Sequence, residues 1–187
     1  FDPAVPLADS VGALADLVRA GKVRHIGLSE VGPGVLRAAH ALHPVAALQS
    51  EFSPWTRSAC APALAACREL GIAFVAYSPL GRGLVPGGIG GAADLPEGDT
   101  RRLFPRFQAD NLAHNVAVSA RLRALADVQG CSPAQLVLAF VLGEWEGVLP
   151  IPGTRRRAHL EDNARAASIS LDPATRARIA ALVPEDE

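Results

Sequence analysis

The chain has 187 residues, of which 49% are hydrophobic and 20% charged, and its formal net charge is −1. Such a composition is typical of a globular protein with enough apolar sequence for a sizeable core and one domain. Acidic and basic residues are interspersed, so the charge pattern does not favour nucleic acid, and we expect a small-molecule partner. No apolar run approaches the ~20 residues that a membrane span requires, so we expect no membrane association and a cytoplasmic location.

The cysteines support the same compartment. Cys60, Cys67 and Cys131 are odd in number and form neither a disulfide framework nor a CxxC metal pattern. Secreted domains usually carry paired cysteines. We therefore predict reduced thiols that belong to the core.

The first part of the chain alternates helical and strand patterns, with Gly21 and Gly71 as stop signals after two of the helices. Short β-prone runs separate the helical runs. The predicted elements are a helix over 7–20, strands over 23–28, 46–49 and 72–77, a helix from Gly32-Pro33-Gly34 to about Leu42, and a helix over 61–70.

The second part opens with residues 84–113, which lose periodicity and are rich in Gly, Pro and charge. A stretch of this length without regular structure is usually a functional lid or a disordered excursion. Periodicity then returns, and Ser132 with Pro133 is a typical helix start. The predicted elements are helices over 115–129 and 133–144, a strand over 147–151, a helix over 158–167, and a helix from Asp172-Pro173 to about Leu182.

The fold class follows from this alternation. Four short apolar strands, each followed by a helix, are typical of parallel βα units, because a parallel return requires a crossover. The chain is therefore predicted to be α/β. A doubly wound sheet and a (β/α)8 barrel both fit, and four units are half of the eight in the barrel. The absence of GxGxxG after a strand disfavours a dinucleotide-binding fold of the Rossmann type.

Motifs at the ends of the predicted strands choose between the two folds. They are LVRAGKVRHIGLSE (17–30), LQSEFSPW (48–55), AYSPLGRG (76–83) and IPGTRRRAHLEDN (151–163). In order and spacing they resemble the aldo-keto reductases. The resemblance implies a (β/α)8 barrel of the TIM type, of which residues 1–187 supply about the last four βα units. The chain would then be the C-terminal portion of an NADP-dependent oxidoreductase domain, with 84–113 as a loop or lid.

The resemblance also assigns residues to the nicotinamide half of a cofactor. It implies that Ser29, Glu30 and Gln49 hold the carboxamide and that the ring of Tyr77 stacks on the nicotinamide. Such residues suit the site, because barrel ligands bind at the carboxyl ends of strands. Structural alternatives stay open: Ser29 as a helix cap, Gln49 as an ordinary strand end, and Tyr77 as core. The turn after Tyr77 would line the pyrophosphate with Ser78, Leu80, Gly81 and Arg82.

The last motif suits the other end of the same ligand. Gly153, Thr154 and Arg155 open a helix, where unpaired amides and the helix dipole favour an anion, and Arg side chains add charge-assisted contacts. This composition suits the adenosine 2′-phosphate and favours NADP(H) over NAD(H), although an Arg run is also typical of a solvated face. By resemblance, His159, Asp162 and Asn163 are adenosine-binding positions. Phe52, Trp55 and Phe104 are candidate pocket walls or core residues.

The resemblance implies reduction of aldehydes or ketones by NADPH, with catalytic Tyr, Lys, Asp and His from the first four strands of the barrel. Here the single tyrosine is Tyr77 and the single lysine is Lys22, and both belong to other motifs. We therefore expect no catalytic residue in this chain, no activity of the chain alone, and self-association through exposed half-barrel edges. A catalytically silent NADP(H)-binding or regulatory module and a non-functional remnant are the alternatives.

Overall fold

The computed structural model, which describes residues 1–85 and 87–183, contains one parallel sheet. The described residues form four strands, in the spatial order in which they occur along the chain. The strands are β1 Ile26–Ser29, β2 Val45–Glu51, β3 Ala73–Tyr77 and β4 Val148–Pro150. Each predicted strand is therefore present, and its ends differ from the prediction by at most three residues.

Seven α-helices of the described residues connect and cover the strands. They are α1 Leu7–Arg19, α2 Pro33–Leu42, α3 Arg57–Leu70, α4 Ala109–Val128, α5 Pro133–Leu142, α6 Arg157–Arg165 and α7 Pro173–Leu182. The predicted start of α5 is confirmed: the Ser132 hydroxyl accepts a hydrogen bond from the Gln135 amide at 3.1 Å, and the Gln135 side chain accepts one from the Ser132 amide at 3.0 Å. Gly71 ends α3 in the left-handed conformation, at a φ of 67°.

The helices cover one face of the sheet. In the strand register, Leu48, Phe74 and Val148 lie side by side, and Leu48 and Phe74 are fully buried beneath the helices. On the opposite face the register aligns Val75 with Leu149, and Leu149 is 52% exposed.

This arrangement distinguishes the two α/β folds that the sequence pattern left open. Right-handed crossovers place every helix on the same face as long as each new strand is added on the same side. A doubly wound sheet instead reverses its strand order and carries helices on both faces. The order β1-β2-β3-β4, with one face left open, is that of a segment of a barrel wall.

Residues 84–85 and 87–108 contain no strand and no α-helix, in agreement with the loss of periodicity, and Pro86 lies outside the described residues. Three short 3-10 turns follow one another before α4, at Ala92–Asp94, Thr100–Leu103 and Pro105–Phe107. They surround a second apolar cluster, separate from the main core, formed by Leu84, Ile89, Leu95, Phe107 and Leu112. These short turns provide backbone hydrogen bonds without a repeating hydrophobic pattern in the sequence. The helix α4 begins at residue 109, earlier than predicted. A role as a lid stays a prediction.

The three cysteines are free thiols. Cys67 is fully buried, as predicted, whereas Cys60 and Cys131 pack half-buried at the edge of the main core. Burial raises the pKa of Cys67 to about 11. The pKa of Cys60 is also raised to about 11, first by burial and then by the carboxylates of Glu30 and Glu51.

Of the described helices, none is by itself long and apolar enough to cross a membrane, and α4 with α5 satisfies length and composition only as a pair bent by 88°.

Candidate functional site

The carboxyl ends of the strands bring the predicted nicotinamide residues together. Ser29 pairs with Gln49 in the register of β1 and β2, and both side chains are exposed on the open face. The Glu30 amide donates to the Gln49 carbonyl at 2.9 Å. Gly32 stands at the N-cap of α2, and no described side chain caps that helix, so the alternative that Ser29 caps α2 is wrong.

Three non-glycine residues at this edge have left-handed backbones. Glu30, Ser78 and Arg82 have φ angles of 54°, 49° and 56°, and among residues 1–85 and 87–183 only Ala109 shares this feature. Each such conformation costs on the order of 1–3 kcal/mol and is typical of functional sites. A local contact offsets part of the conformational cost at Glu30, because Glu30 Oε1 accepts a hydrogen bond from the Glu51 amide at 3.0 Å. Strain therefore concentrates where the sequence predicts the ligand.

Tyr77 lies at the end of β3, next to Glu51 in the register. Its side chain is on the open face and half-buried, whereas its neighbour Ala76 is fully buried on the helix-covered face. Tyr77 is therefore not a core residue, and the ring forms part of the site edge. Burial raises the pKa of Tyr77, and the nearby carboxylates of Glu30 and Glu51 raise it further, against the opposing effect of Arg82.

The turn after Tyr77 requires a glycine. Gly81 has a φ of 62°, and a Cβ atom added there would lie 3.1 Å from two ring carbons of Trp55. The Arg82 guanidinium is engaged within the protein: it donates to Glu51 Oε2 at 2.8 Å and lies 4.3 Å from the centre of the Phe104 ring. Contact of this turn with a pyrophosphate stays a prediction, and its backbone, rather than the Arg82 side chain, is the part available for it.

A cavity of about 210 Å³ joins the turn after β3 to the motif after β4. Its wall includes Leu80 at one side and the starts of α5 and α6 at the other. The predicted residues that line it are Leu80, Gly153, Thr154, His159, Asp162 and Asn163. Two motifs that are far apart in the sequence therefore meet at one cavity.

The start of α6 forms a cationic groove of about 790 Å³ that shares Gly153, Thr154 and His159 with this cavity. Arg156 is the N-cap, and within the described part of the chain no side chain caps the first turn of α6. The first amides of α6 therefore have no side-chain acceptor among the described residues. Arg157 pairs with Glu161 at 2.8 Å, whereas Arg155 and Arg156 make no ion pair with any described residue. The groove combines amide donors with two guanidinium groups, as an anion site requires.

Asp162 has structural partners. Its carboxylate accepts hydrogen bonds from the Ser132 hydroxyl at 2.6 Å and from the Gln135 side chain at 2.8 Å. These bonds hold α6 against the start of α5, so Asp162 shapes the cavity whatever fills it. Its contact with adenosine, like those of His159 and Asn163, stays a prediction.

Three polar residues at this edge were not predicted from the sequence. The Glu51 carboxylate lies between Arg82, at 2.8 Å, and Arg106, at 2.7 Å. The Asn115 amide links the Arg106 carbonyl to the Trp55 indole. Glu51 stood inside a quoted motif at a strand end and was detectable, but Arg106 and Asn115 lie where no local pattern marks them.

The aromatic candidates separate into core and site. Phe52 is 2% exposed and packs edge-on against Phe74, with ring centroids 5.9 Å apart, so it belongs to the core. Trp55 is half-buried and packs against both apolar clusters. Phe104 lies under the Arg82 guanidinium. Trp55 and Phe104 therefore pack against the turn after β3, at Gly81 and Arg82 respectively, and do not lie at the strand ends themselves.

The residues fit an elongated dinucleotide with an anionic end. An exposed hydroxyl, an exposed amide and a half-buried aromatic ring lie at the ends of β1, β2 and β3, a glycine turn follows, and an uncapped cationic helix start lies beyond the cavity. These groups are the ones that an aromatic amide, a pyrophosphate and a phosphate each require.

Comparison with known sequences agrees with the resemblance to the aldo-keto reductases. The sequence profile of the Aldo/keto reductase family matches residues 1–184. A probable aldo-keto reductase 1 of Glycine max is 46% identical over 170 residues, which cover 91% of this chain and 49% of the relative. Aldo-keto reductase str7 of Strobilurus tenacellus is 42% identical over 189 residues, covering 100% of this chain and 56% of the relative. The chain therefore spans about half the length of the curated relatives it matches.

Solved structures show the same fold. A thermostable aldo-keto reductase crystallised with the inhibitor epalrestat superposes with a TM-score of 0.72 at 25% identity, covering 97% of this chain and 56% of that one. A glycerol dehydrogenase from Gluconobacter oxydans superposes with a TM-score of 0.89 at 23% identity, covering 97% and 55%, and this likeness concerns the fold alone.

These neighbours confirm an α/β fold of the TIM-barrel type. That the units are the last four of a barrel stays a prediction. Members of the family typically bind NAD(P)H. The chain belongs to the aldo/keto reductase family.

Proposed function

We propose that this chain forms the cofactor-binding part of an NADP(H)-dependent oxidoreductase that reduces small aldehydes or ketones to alcohols. The observation that carries the proposal is the meeting of the turn after β3 with the uncapped, arginine-rich start of α6 at one cavity. NADPH, when bound, supplies the hydride that reduces the carbonyl carbon.

Each part of the cofactor has a place in this proposal. Ser29 and Gln49 orient the carboxamide through hydrogen bonds, and the Tyr77 ring provides a flat apolar wall for the nicotinamide. The backbone of the turn around Gly81 faces the pyrophosphate. Arg155 and Arg156, with the amides of α6, hold the 2′-phosphate, so NADH, which lacks that phosphate, makes none of these contacts and binds more weakly.

We further propose that proton transfer to the substrate uses none of this chain's residues. A tyrosine that acts as a general acid near neutral pH requires a lowered pKa, whereas burial raises the pKa of Tyr77. Lys22 lies ahead of β1, at the amino end of the sheet, and is exposed. The chain alone is therefore expected to bind cofactor without reducing a carbonyl.

The test is a titration of the purified chain with NADPH, followed by cofactor fluorescence, with NADH as the competing ligand. Replacing both Arg155 and Arg156 by Ala should weaken NADPH binding about 10- to 100-fold, the value of one or two charge-assisted hydrogen bonds. NADH binding should change little. Arg178→Ala, an exposed arginine on α7, is the matched control. Equal affinity of the unmodified chain for both cofactors would contradict a 2′-phosphate site.

A catalytically silent NADP(H)-binding or regulatory module is the second candidate, and the raised pKa of Tyr77 favours it equally. Both candidates predict binding without turnover by this chain. An aldehyde-dependent loss of NADPH absorbance in the presence of the chain alone would contradict both. A cytoplasmic location stays a prediction, which cell fractionation can check.

We also propose that the open edges of the sheet lead two copies to associate. Edge strands β1 and β4 are parallel, so β4 of one copy can pair with β1 of another around a two-fold axis. The residues ahead of the two strands have opposite charge: Lys22 and Arg24 precede β1, and Glu146 precedes β4, all three exposed. The pairing brings these charges together and covers apolar side chains such as Leu149.

A further inference from the structure

Glu51 binds two arginines at the edge of the site. Its carboxylate lies 2.8 Å from Arg82 and 2.7 Å from Arg106, and the side chains are 13%, 26% and 19% exposed, respectively. Partial burial reduces the competition from water that makes most surface ion pairs weak. The ion pairs of Glu51 therefore stabilise the fold more than those of an exposed carboxylate do.

The two arginines belong to different segments. Arg82 lies in the turn after β3, whereas Arg106 lies in the last 3-10 turn before α4. Two more contacts join these segments: the Arg101 guanidinium donates to the Arg82 carbonyl at 3.2 Å, and the Phe104 ring packs against the Arg82 guanidinium at 4.3 Å. Glu51 is the only carboxylate among the described residues that forms an ion pair with both segments.

The far side of this network is fixed by a tryptophan. The Arg106 carbonyl accepts a hydrogen bond from Asn115 at 3.0 Å, and Asn115 accepts one from the Trp55 indole at 2.6 Å. Trp55 in turn limits the space around Gly81. The contacts thus lead from Glu51 on β2 through Arg106 and Asn115 to Trp55 and the turn after β3. The ion pair between Arg82 and Glu51 closes this path.

We propose that Glu51 is a positioning residue for the turn around Gly81, which it orients by holding Arg82 and by fastening residues 92–107 over that turn through Arg106. The proposal rests on the proposed function, since the turn is the part that faces the pyrophosphate. Glu51 does not itself touch the ligand. Without its charge, the two guanidinium groups repel each other, and the Arg82 side chain loses its ion-pair partner.

The experiment compares Glu51→Gln with Glu69→Gln. Glu69 pairs with Arg37 on the exposed surface of α3, so this control removes one paired carboxylate away from the site. Limited trypsin digestion, followed by mass spectrometry, measures cleavage after Arg101, Arg102 and Arg106. We expect at least about tenfold faster cleavage there in Glu51→Gln alone, with unchanged cleavage after Lys22. NADPH binding should weaken by about tenfold in the same variant.

The outcomes separate the two claims. Unchanged cleavage of residues 101–106 in Glu51→Gln would overturn the fastening role. Faster cleavage with unchanged NADPH affinity would overturn the positioning of the turn. Failure of the unmodified chain to bind NADPH would contradict the proposed function and the positioning role together, while the digestion would still decide the fastening. If Glu51→Gln does not fold, Arg106→Met, which keeps the Glu51–Arg82 pair, should show the same faster cleavage after Arg101 and Arg102, and its absence would overturn the proposal.

Discussion

Gly81→Ala tests how the turn after β3 is built. At a φ of 62°, alanine adopts a left-handed conformation that costs about 1–2 kcal/mol. Its Cβ atom also meets the Trp55 ring at 3.1 Å. The ring cannot move freely, because it packs against both apolar clusters and its indole donates to Asn115. Crowding of this kind typically adds about 1–3 kcal/mol, so the total loss of unfolding free energy should be about 2–5 kcal/mol.

Gly71→Ala is the matched control. Gly71 has nearly the same φ, 67°, but a Cβ atom there meets nothing within 4 Å. It should therefore show the backbone cost alone, about 1–2 kcal/mol. Urea denaturation followed by circular dichroism measures both variants, and the tryptophan fluorescence, recorded in a Trp145→Phe background so that it reports Trp55, should change only in Gly81→Ala. Equal destabilisation by the two substitutions would refute the claim that Trp55 fixes the position of this turn.

Three further predictions concern charge, association and capping. Folding raises the pKa of Cys60 and Cys67 from 9.0 to about 11. The unfolded thiols therefore ionise first, so the contribution of these thiols to the unfolding free energy is complete below pH 9 and is lost as the pH rises towards 11. The urea midpoint should fall over that range, and it should fall less in a Cys60→Ser, Cys67→Ser variant. Arg24→Glu and Glu146→Lys should each weaken dimers in analytical ultracentrifugation, and the double variant should restore them; a monomeric unmodified chain would contradict the association. Ser132→Ala removes a helix cap and a bond to a carboxylate, so unfolding free energy should fall by about 2 kcal/mol, and a loss below about 0.5 kcal/mol would refute the bracing of α6.

Local sequence determined the elements and the polar residues at their ends. Ser132-Pro133 and Asp172-Pro173 start helices as predicted, and Asp172 accepts a hydrogen bond from the Thr175 amide at 2.9 Å. The parallel sheet follows from short apolar strands separated by helices. Ser29, Gln49 and Tyr77 were predictable because each directly follows or ends such a strand.

Only the tertiary structure decided which face of the sheet is covered, because the alternation of strands and helices fits both α/β folds and only the motifs favoured the barrel. It also decided that Asp162 binds Ser132, that Glu51 binds Arg106, and that Asn115 binds Trp55 across 60 residues of sequence. Periodicity reports only neighbours within a turn or two along the chain. Residues 92–107 are ordered by contacts with distant side chains rather than by a repeating pattern, so their structure and their link to the site were not readable from the sequence.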